Sequence, residues 1–488
     1  MSNNLKSHDL IFFVVCLALG GLAELSFLHA PVGVSSIVFV ASFYLVFFIR
    51  FRHFVFRQRR MGILLMFVIL VLASNYFLYD AFLFNVLNAL LLPLFILAHL
   101  VLLTKPATIR WHQFSFLKRM VGTVFGSFVY NTQFINKVYR RIFKGMDEKQ
   151  SDVLKKILLG LFIGVPLLMV VVVLLMQADQ AFQNMLAVIP DWLFGLEVNE
   201  VTVRVALAVA VGWLFFGVMQ ILTRKAPDHM QVVSTQMEKQ DGIVSITILL
   251  LLNIVYVLFT VVQFTYFFGG ELYGDMSYAE YARRGFFELI MVSLLNLTVL
   301  LLMLTINRPE GKKTGITLRV MYTFLILFSG IMLISAFNRL MMYEAHYGFT
   351  MARVLPHVFM IFLLVIFVYT GIRVWVDRLP LIHFYILTAV LFYTALNAVN
   401  VEAWIVDRNI ERYQETGKLD VHYLNSLSYT GVDGLLDVYE LNSDIPQLEE
   451  TLEMRKALWT GRDSTNDAWQ SFTIPKYKVS ERLQEWKP

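Results

Sequence analysis

The run from Ile11 to Leu28, IFFVVCLALGGLAELSFL, carries a single charged side chain, Glu24. At 1.5 Å per residue, a helix of about this length crosses the hydrocarbon of a bilayer. Blocks of the same kind recur along the chain, for example from Ile157 to Met176. Of the 488 residues 58% are hydrophobic and 16% charged, against roughly 45–50% and 25% in an ordinary soluble domain. A soluble core cannot absorb that excess, so lipid is the solvent for most of the chain. The expected fold is an all-α integral membrane protein with about eleven transmembrane helices and a small helical C-terminal extracytoplasmic domain.

Spans are expected near 9–28, 33–50, 61–79, 81–103, 157–177, 203–223, 243–268, 285–306, 319–342, 354–375 and 380–400. The apolar start exceeds the length of a secretory signal core, and a second apolar block follows almost at once, so a retained first helix is expected. The cations fall in alternate connections. One set holds Lys6, Arg50 to Arg60, about eleven Lys and Arg between 104 and 156, then Arg224, Lys225, Lys239, Arg308, Lys312, Lys313 and Arg378. The other set has none at 29–32 or at Asp80, and carries Asp179, Asp191, Glu197 and Glu200 in 178–202. By the positive-inside rule this gives a cytoplasmic N-terminus and, after an odd number of spans, an extracytoplasmic C-terminus in a bacterial plasma membrane. The net charge of +5 is thus a topology signal, and no nucleic-acid partner is implied.

Four regions follow: helices 1–4 in 1–103, a cytoplasmic basic amphipathic segment at 104–156, helices 5–11 in 157–400, and the tail 401–488. The segment at 104–156 interleaves Trp111, Phe114, Phe125 and Phe134 with Lys118, Arg119, Arg140 and Arg141. That pattern suits a helix lying along an anionic leaflet or docking a cytoplasmic partner. In the tail, turns are expected at Thr416-Gly417, at Gly431 to Gly434 and at Pro446.

Polar groups at membrane depth cost on the order of 2.5–3.5 kcal/mol each, so their placement carries information. They gather at the outer ends of the expected spans: Glu24, Asp80, Arg283, Arg284, Glu288, Asn338, Arg339, Glu344, His346, Arg353, His357 and Glu402. Converging helices would make of them an outward-facing cavity rich in Arg and Glu, or else a set of structural ion pairs in which Arg339 and Arg353 meet Glu344 and Glu288. Asn253 and Asn296 lie deeper and suit interhelical hydrogen bonds. No phosphate loop, GxGxxG, HExxH or GxSxG is present. The one cysteine, Cys16, excludes a disulfide and a thiolate metal cluster. No cofactor and no metal is expected.

Three stretches carry a resemblance. Tyr278 to Leu289, YAEYARRGFFEL, is similar to a YAxYAxxGFxxL run. In Ser335 to Arg353, residues Arg339, Tyr343, Tyr347, Gly348, Thr350 and Arg353 fit SAxxRxxxYxxxYGxTxxR. Asn409 to Leu424 fits NIxRYxxTGxLDxxYL. Together they resemble an uncharacterised family of bacterial polytopic membrane proteins, a domain of unknown function of the 4173 type. The resemblance implies a place in the membrane and no reaction. It coincides with the charged cluster, and Arg283, Arg284, Glu288, Arg339, Tyr343, Glu344, Arg353 and Glu402 form the candidate ligand-binding set. The leading expectation is a non-enzymatic protein binding an anionic ligand, a lipid headgroup or a peptide for sensing or transport. The alternatives are a lipid-linked glycosyl or acyl transferase using Glu24, Asp80, Glu288 and Glu402, and a scaffold. Partners are the bilayer and an envelope protein or lipid ligand. In the tail, Asn409 to Tyr413 are expected to extend the last span outward, with Gly417 as its C-terminal cap and Asp420 starting the next helix.

Overall fold

The computed structural model describes residues 7–104, 110–142, 160, 164, 200–224, 242–269, 285–307, 311–460 and 468–487. Among these all regular structure is helical, without a β-strand. Among the described residues nine helices are long and apolar enough to cross a membrane, and in lipid, which offers no hydrogen bonds, a helix satisfies its own backbone. A shorter apolar helix, Ser35–Arg50, adds a tenth candidate, and the expected span at 157–177 falls almost wholly outside the described residues.

The chain forms two compact units, Met1–Met230 with Leu458–Lys478, and Gln231–Ala457 with Val479–Pro488. The first contains α1 (Ser7–Phe27), α2 (Ser35–Arg50), α3 (Arg59–Leu78), α4 (Phe82–Thr104), α5 (Phe114–Ile142) and α6 (Glu200–Thr223). α1 and α6 run antiparallel, as the pairs Glu24 with Arg204, Gly20 with Gly212 and Asp9 with Gln220 require. Their backbones meet at two glycines. A Cβ on Gly212 would lie 2.6 Å from the Cys16 carbonyl oxygen, and one on Gly20 would lie 2.5 Å from the Gly212 nitrogen. Such close approach gains dispersion energy where no hydrophobic effect drives helices together. α5 packs on α6 through Asn131, whose Nδ2 donates to the Trp213 carbonyl at 2.8 Å, and through Phe134, 4.6 Å from Phe216. Its other flank exposes Phe114, Leu117, Val121, Phe125 and Val129.

The second unit contains α7 (Gly242–Gly269), α8 (Phe286–Ile306), α9 (Lys312–Tyr347), α10 (Met351–Trp375) and α11 (Leu381–Ala398). Beyond them lie α12 (Val401–Thr416), α13 (Val421–Ser426), α14 (Tyr429–Leu441) and most of α15 (Leu448–Thr460). A final helix, α16 (Ile474–Glu485), begins in the first unit and ends in the second. Asn253 and Asn296 do bridge helices. Asn253 donates to the Met321 carbonyl at 3.2 Å. Asn296 accepts from Tyr256 at 2.7 Å and donates to Ser329 at 2.9 Å, which joins α7, α8 and α9.

Three expectations need correction. α9 has 36 residues, about 54 Å at the α-helical rise, because its charged ends, trimmed in a reading by hydropathy, remain helical. Asn409 to Tyr413 do not extend the last span: Val399 is extended and Asn400 starts a new helix by accepting from the Ala403 N–H at 3.0 Å. Gly431 to Gly434 are not a turn but part of α14, where they let that helix approach the Leu424 carbonyl and Val406. Gly417 does cap α12 at φ +68°, and Asp420 caps α13 by accepting from the Tyr423 N–H at 2.9 Å.

Candidate functional site

Two of the candidate ligand-binding residues, Tyr343 and Arg353, meet at a turn that the tail clamps. α9 ends at Gly348, φ +85°, whose N–H donates to the Glu344 carbonyl at 2.7 Å. A side chain there would meet Asn409 Oδ1 at 2.7 Å. Asn409, on α12, accepts from the Phe349 N–H at 3.0 Å and donates to the Phe349 carbonyl at 2.8 Å. Arg412 donates to the carbonyls of His346, Ala345 and Lys418. Tyr423 accepts from the Met351 N–H at 2.8 Å. From the turn itself, Arg353 donates to the carbonyls of Tyr347 and Gly348 and lies 4.5 Å over the Tyr343 ring, a cation–π contact. The motif residues thus form a clamp between the turn at 347–351 and the tail.

The remaining members separate. Buried Glu344 pairs with His357 at 3.2 Å, not with an arginine. Buried Glu402 accepts from the backbone and hydroxyl of Ser428. Arg339 lies against Gly285, where a Cβ would come within 2.6 Å of its Nη1. Glu288 is exposed in the first turn of α8. Arg283 and Arg284 lie outside the described residues. The structure therefore joins Tyr343 and Arg353, and gives Glu344 and Glu402 partners that sequence reasoning did not name.

A large cavity lies in the first unit instead. It measures about 930 Å³ and is lined by α1 to α6. Its polar residues, Glu24, Tyr76, Asp80, Asn85 and Asn88, come from the C-terminal ends of α1 and α3 and the start of α4. The hairpins α1–α2 and α3–α4 bring these helix ends to one side, where the Phe472 carbonyl accepts from the Val34 N–H at 3.0 Å and its ring lies tilted, 6.0 Å from that of Phe77. Towards the opposite ends the lining is apolar: Ile96, Leu97, Leu100, Val124, Val218 and Met219. Pro93 on α4 also faces the cavity and cannot donate to the Ala89 carbonyl.

The polar end is internally bonded but not fully. Glu24 is held by Arg204 at 2.6 Å. Asp80 occupies the left-handed region at φ +53° and accepts from Asn85 Nδ2 at 2.9 Å. The other amide atom, Asn85 Oδ1, is buried without a donor. Burial pushes the Asp80 carboxyl up from 3.8 to about 6, with Asn85 and the Lys476 charge pulling it partly back. A carboxyl whose folded value exceeds its unfolded one loses stability as pH rises between the two, here from about 4 to about 6. Above that window the loss is constant, at most about 3 kcal/mol. Asp80→Asn keeps the left-handed residue without the charge. It is expected to melt higher than the parent in detergent at pH 8, with the gap closing as pH falls through 6 and gone near pH 4.

Nine membrane-length helices among the described residues make this a multi-pass membrane protein. A family model described as Domain of unknown function (DUF4153) matches residues 66–438, and the chain belongs to that family. The resemblance to an uncharacterised membrane family holds, with 4153 in place of 4173 as its number. No curated protein and no solved structure matches the chain.

Proposed function

We propose that this protein binds a membrane amphiphile, with the headgroup among Glu24, Asp80 and Asn85 and the tail between α4 and α6, for sensing or transport in a bacterial plasma membrane. The supporting observation is the cavity itself, polar at one end and apolar at the other, within the 300–1,000 Å³ usual for ligand sites. In this reading the N-terminus is cytoplasmic and the tail extracytoplasmic. Two features favour that arrangement. Residues 470–472 pack against the cation-free connection at Gly33 and Val34, and the tail clamps the turn at 347–351. Arg50 to Arg60 lie at the other ends of α2 and α3.

Binding is favoured over group transfer because Glu24 and Glu402 are already held by Arg204 and Ser428. α5 serves in this reading as the cytoplasmic floor, since Val124 reaches the apolar end of the cavity. A Trp at Ala89 or at Val86, both exposed lining residues on α4, occupies the space. Either variant is expected to purify with less bound lipid than the parent at an unchanged melting temperature. Equal lipid content in parent and both variants, measured by mass spectrometry of extracts, sinks the proposal.

A further inference from the structure

We infer that the cavity takes a lipid whose headgroup carries a primary ammonium. This deepens the proposed function and rests on its placement of an amphiphile in the first unit.

Hydrogen bonding sets the headgroup. The polar end holds acceptors that lack a donor. Asp80 offers a carboxylate with one described partner, Asn85 Nδ2, and Asn85 Oδ1 is buried without any donor. Glu24 adds a second carboxylate, and the Ala89 carbonyl is deprived of its helical donor by Pro93. An ammonium brings three donors and no acceptor, and buried acceptors discriminate strongly for a ligand that supplies their missing donors. A trimethylated ammonium has the same charge and no N–H, so it cannot do this.

The lipid phosphate also finds opposite charge near the same end. Arg204 is bonded to Glu24, and Lys476 is close enough to Asp80 for its charge to be felt there. Lys476 is held by Ser471 Oγ at 3.4 Å and lies 5.9 Å over the Trp459 ring. The two cations balance the two carboxylates, which suits a zwitterionic head better than an anionic one.

The test uses the full chain in mild detergent, with native mass spectrometry of lipid retention from three diacyl lipids of equal chain length: phosphatidylethanolamine, phosphatidylcholine and phosphatidylglycerol. The expected result is about tenfold preference for the ethanolamine lipid over the choline lipid, the scale of one charge-assisted hydrogen bond. Asp80→Asn should reduce that preference to near unity by weakening ethanolamine-lipid binding alone. Equal retention of all three heads, or preference for the glycerol lipid, overturns the inference. Ala89→Trp separates it from the reading on which it rests. If Trp expels the lipids while the parent shows no head preference, the cavity stands and the ammonium assignment falls. If Trp changes nothing, both fall.

Discussion

Gly212→Val is expected to yield no monodisperse protein in detergent, whereas Gly21→Ala, on the neighbouring helix, should purify and melt like the parent. The Gly212 Cα stands where a Cβ would lie 2.6 Å from the Cys16 carbonyl oxygen and 2.8 Å from the Leu17 Cα. These are backbone atoms, which no side-chain rotation can move aside. Relief requires α1 and α6 to separate along their length, and the separation strips contacts from Phe12, Cys16, Leu19 and Phe216, all buried at this seam. Ordinary overpacking costs about 1–3 kcal/mol. A clash with backbone at the middle of a helix pair belongs at or beyond the top of that range. Gly21 has nothing within 4 Å of its added Cβ, so alanine there removes only flexibility. Size-exclusion profiles of the two variants with a fluorescent fusion decide the matter. A normal profile for Gly212→Val would mean that α1 and α6 do not touch as described.

That seam also marks the limit of what could be read from the chain. The existence and approximate ends of the apolar helices are local properties, set by runs such as Ile11 to Leu28, and ten of the eleven expected spans have a described helix. Which helix lies beside which is not local. Gly20 and Gly212 are separated by almost two hundred positions, and neither sits in a GxxxG run, so their meeting leaves no mark on either segment. Glu24 was visible as a costly charge at membrane depth, yet its partner Arg204 stands at the start of a helix that hydropathy alone placed. The charged residues of the second half were legible one by one, and their partners were not. Arg353 and Tyr343 do meet. However, the acceptors of Arg353 and Arg412 are carbonyls of the turn at 345–348, and a carbonyl has no signature in a sequence. The cavity escaped for the same reason. Most of its lining is ordinary Leu, Val and Phe, and only the polar end, through Glu24 and Asp80, was marked in advance.

Asn409→Ala is expected to loosen the tail from the turn at 347–351 and to lower stability by about 3 kcal/mol. The side chain is buried and satisfies both backbone groups of Phe349, the N–H at 3.0 Å and the carbonyl at 2.8 Å. Each buried group left unpaired costs about 1–3 kcal/mol. The penalty is not offset by relaxation, because Gly348 fixes the turn at φ +85° and Arg353 holds its carbonyls from the other side. Asn409→Asp is a sharper case: it keeps the acceptor for the Phe349 N–H but places a carboxylate oxygen opposite the Phe349 carbonyl, so it should be no better than alanine. Arg408→Ala serves as the contrast one residue away. Its pair with Glu411 is exposed, and exposed pairs contribute about 0–1 kcal/mol. Limited proteolysis of the purified protein, followed at 401–460, should therefore show rapid cleavage in both Asn409 variants and parental resistance in Arg408→Ala. If Asn409→Ala resists as the parent does, the tail is held by Arg412 and Tyr423 alone, and the asparagine of the NIxRY motif must be explained by something other than the turn it touches.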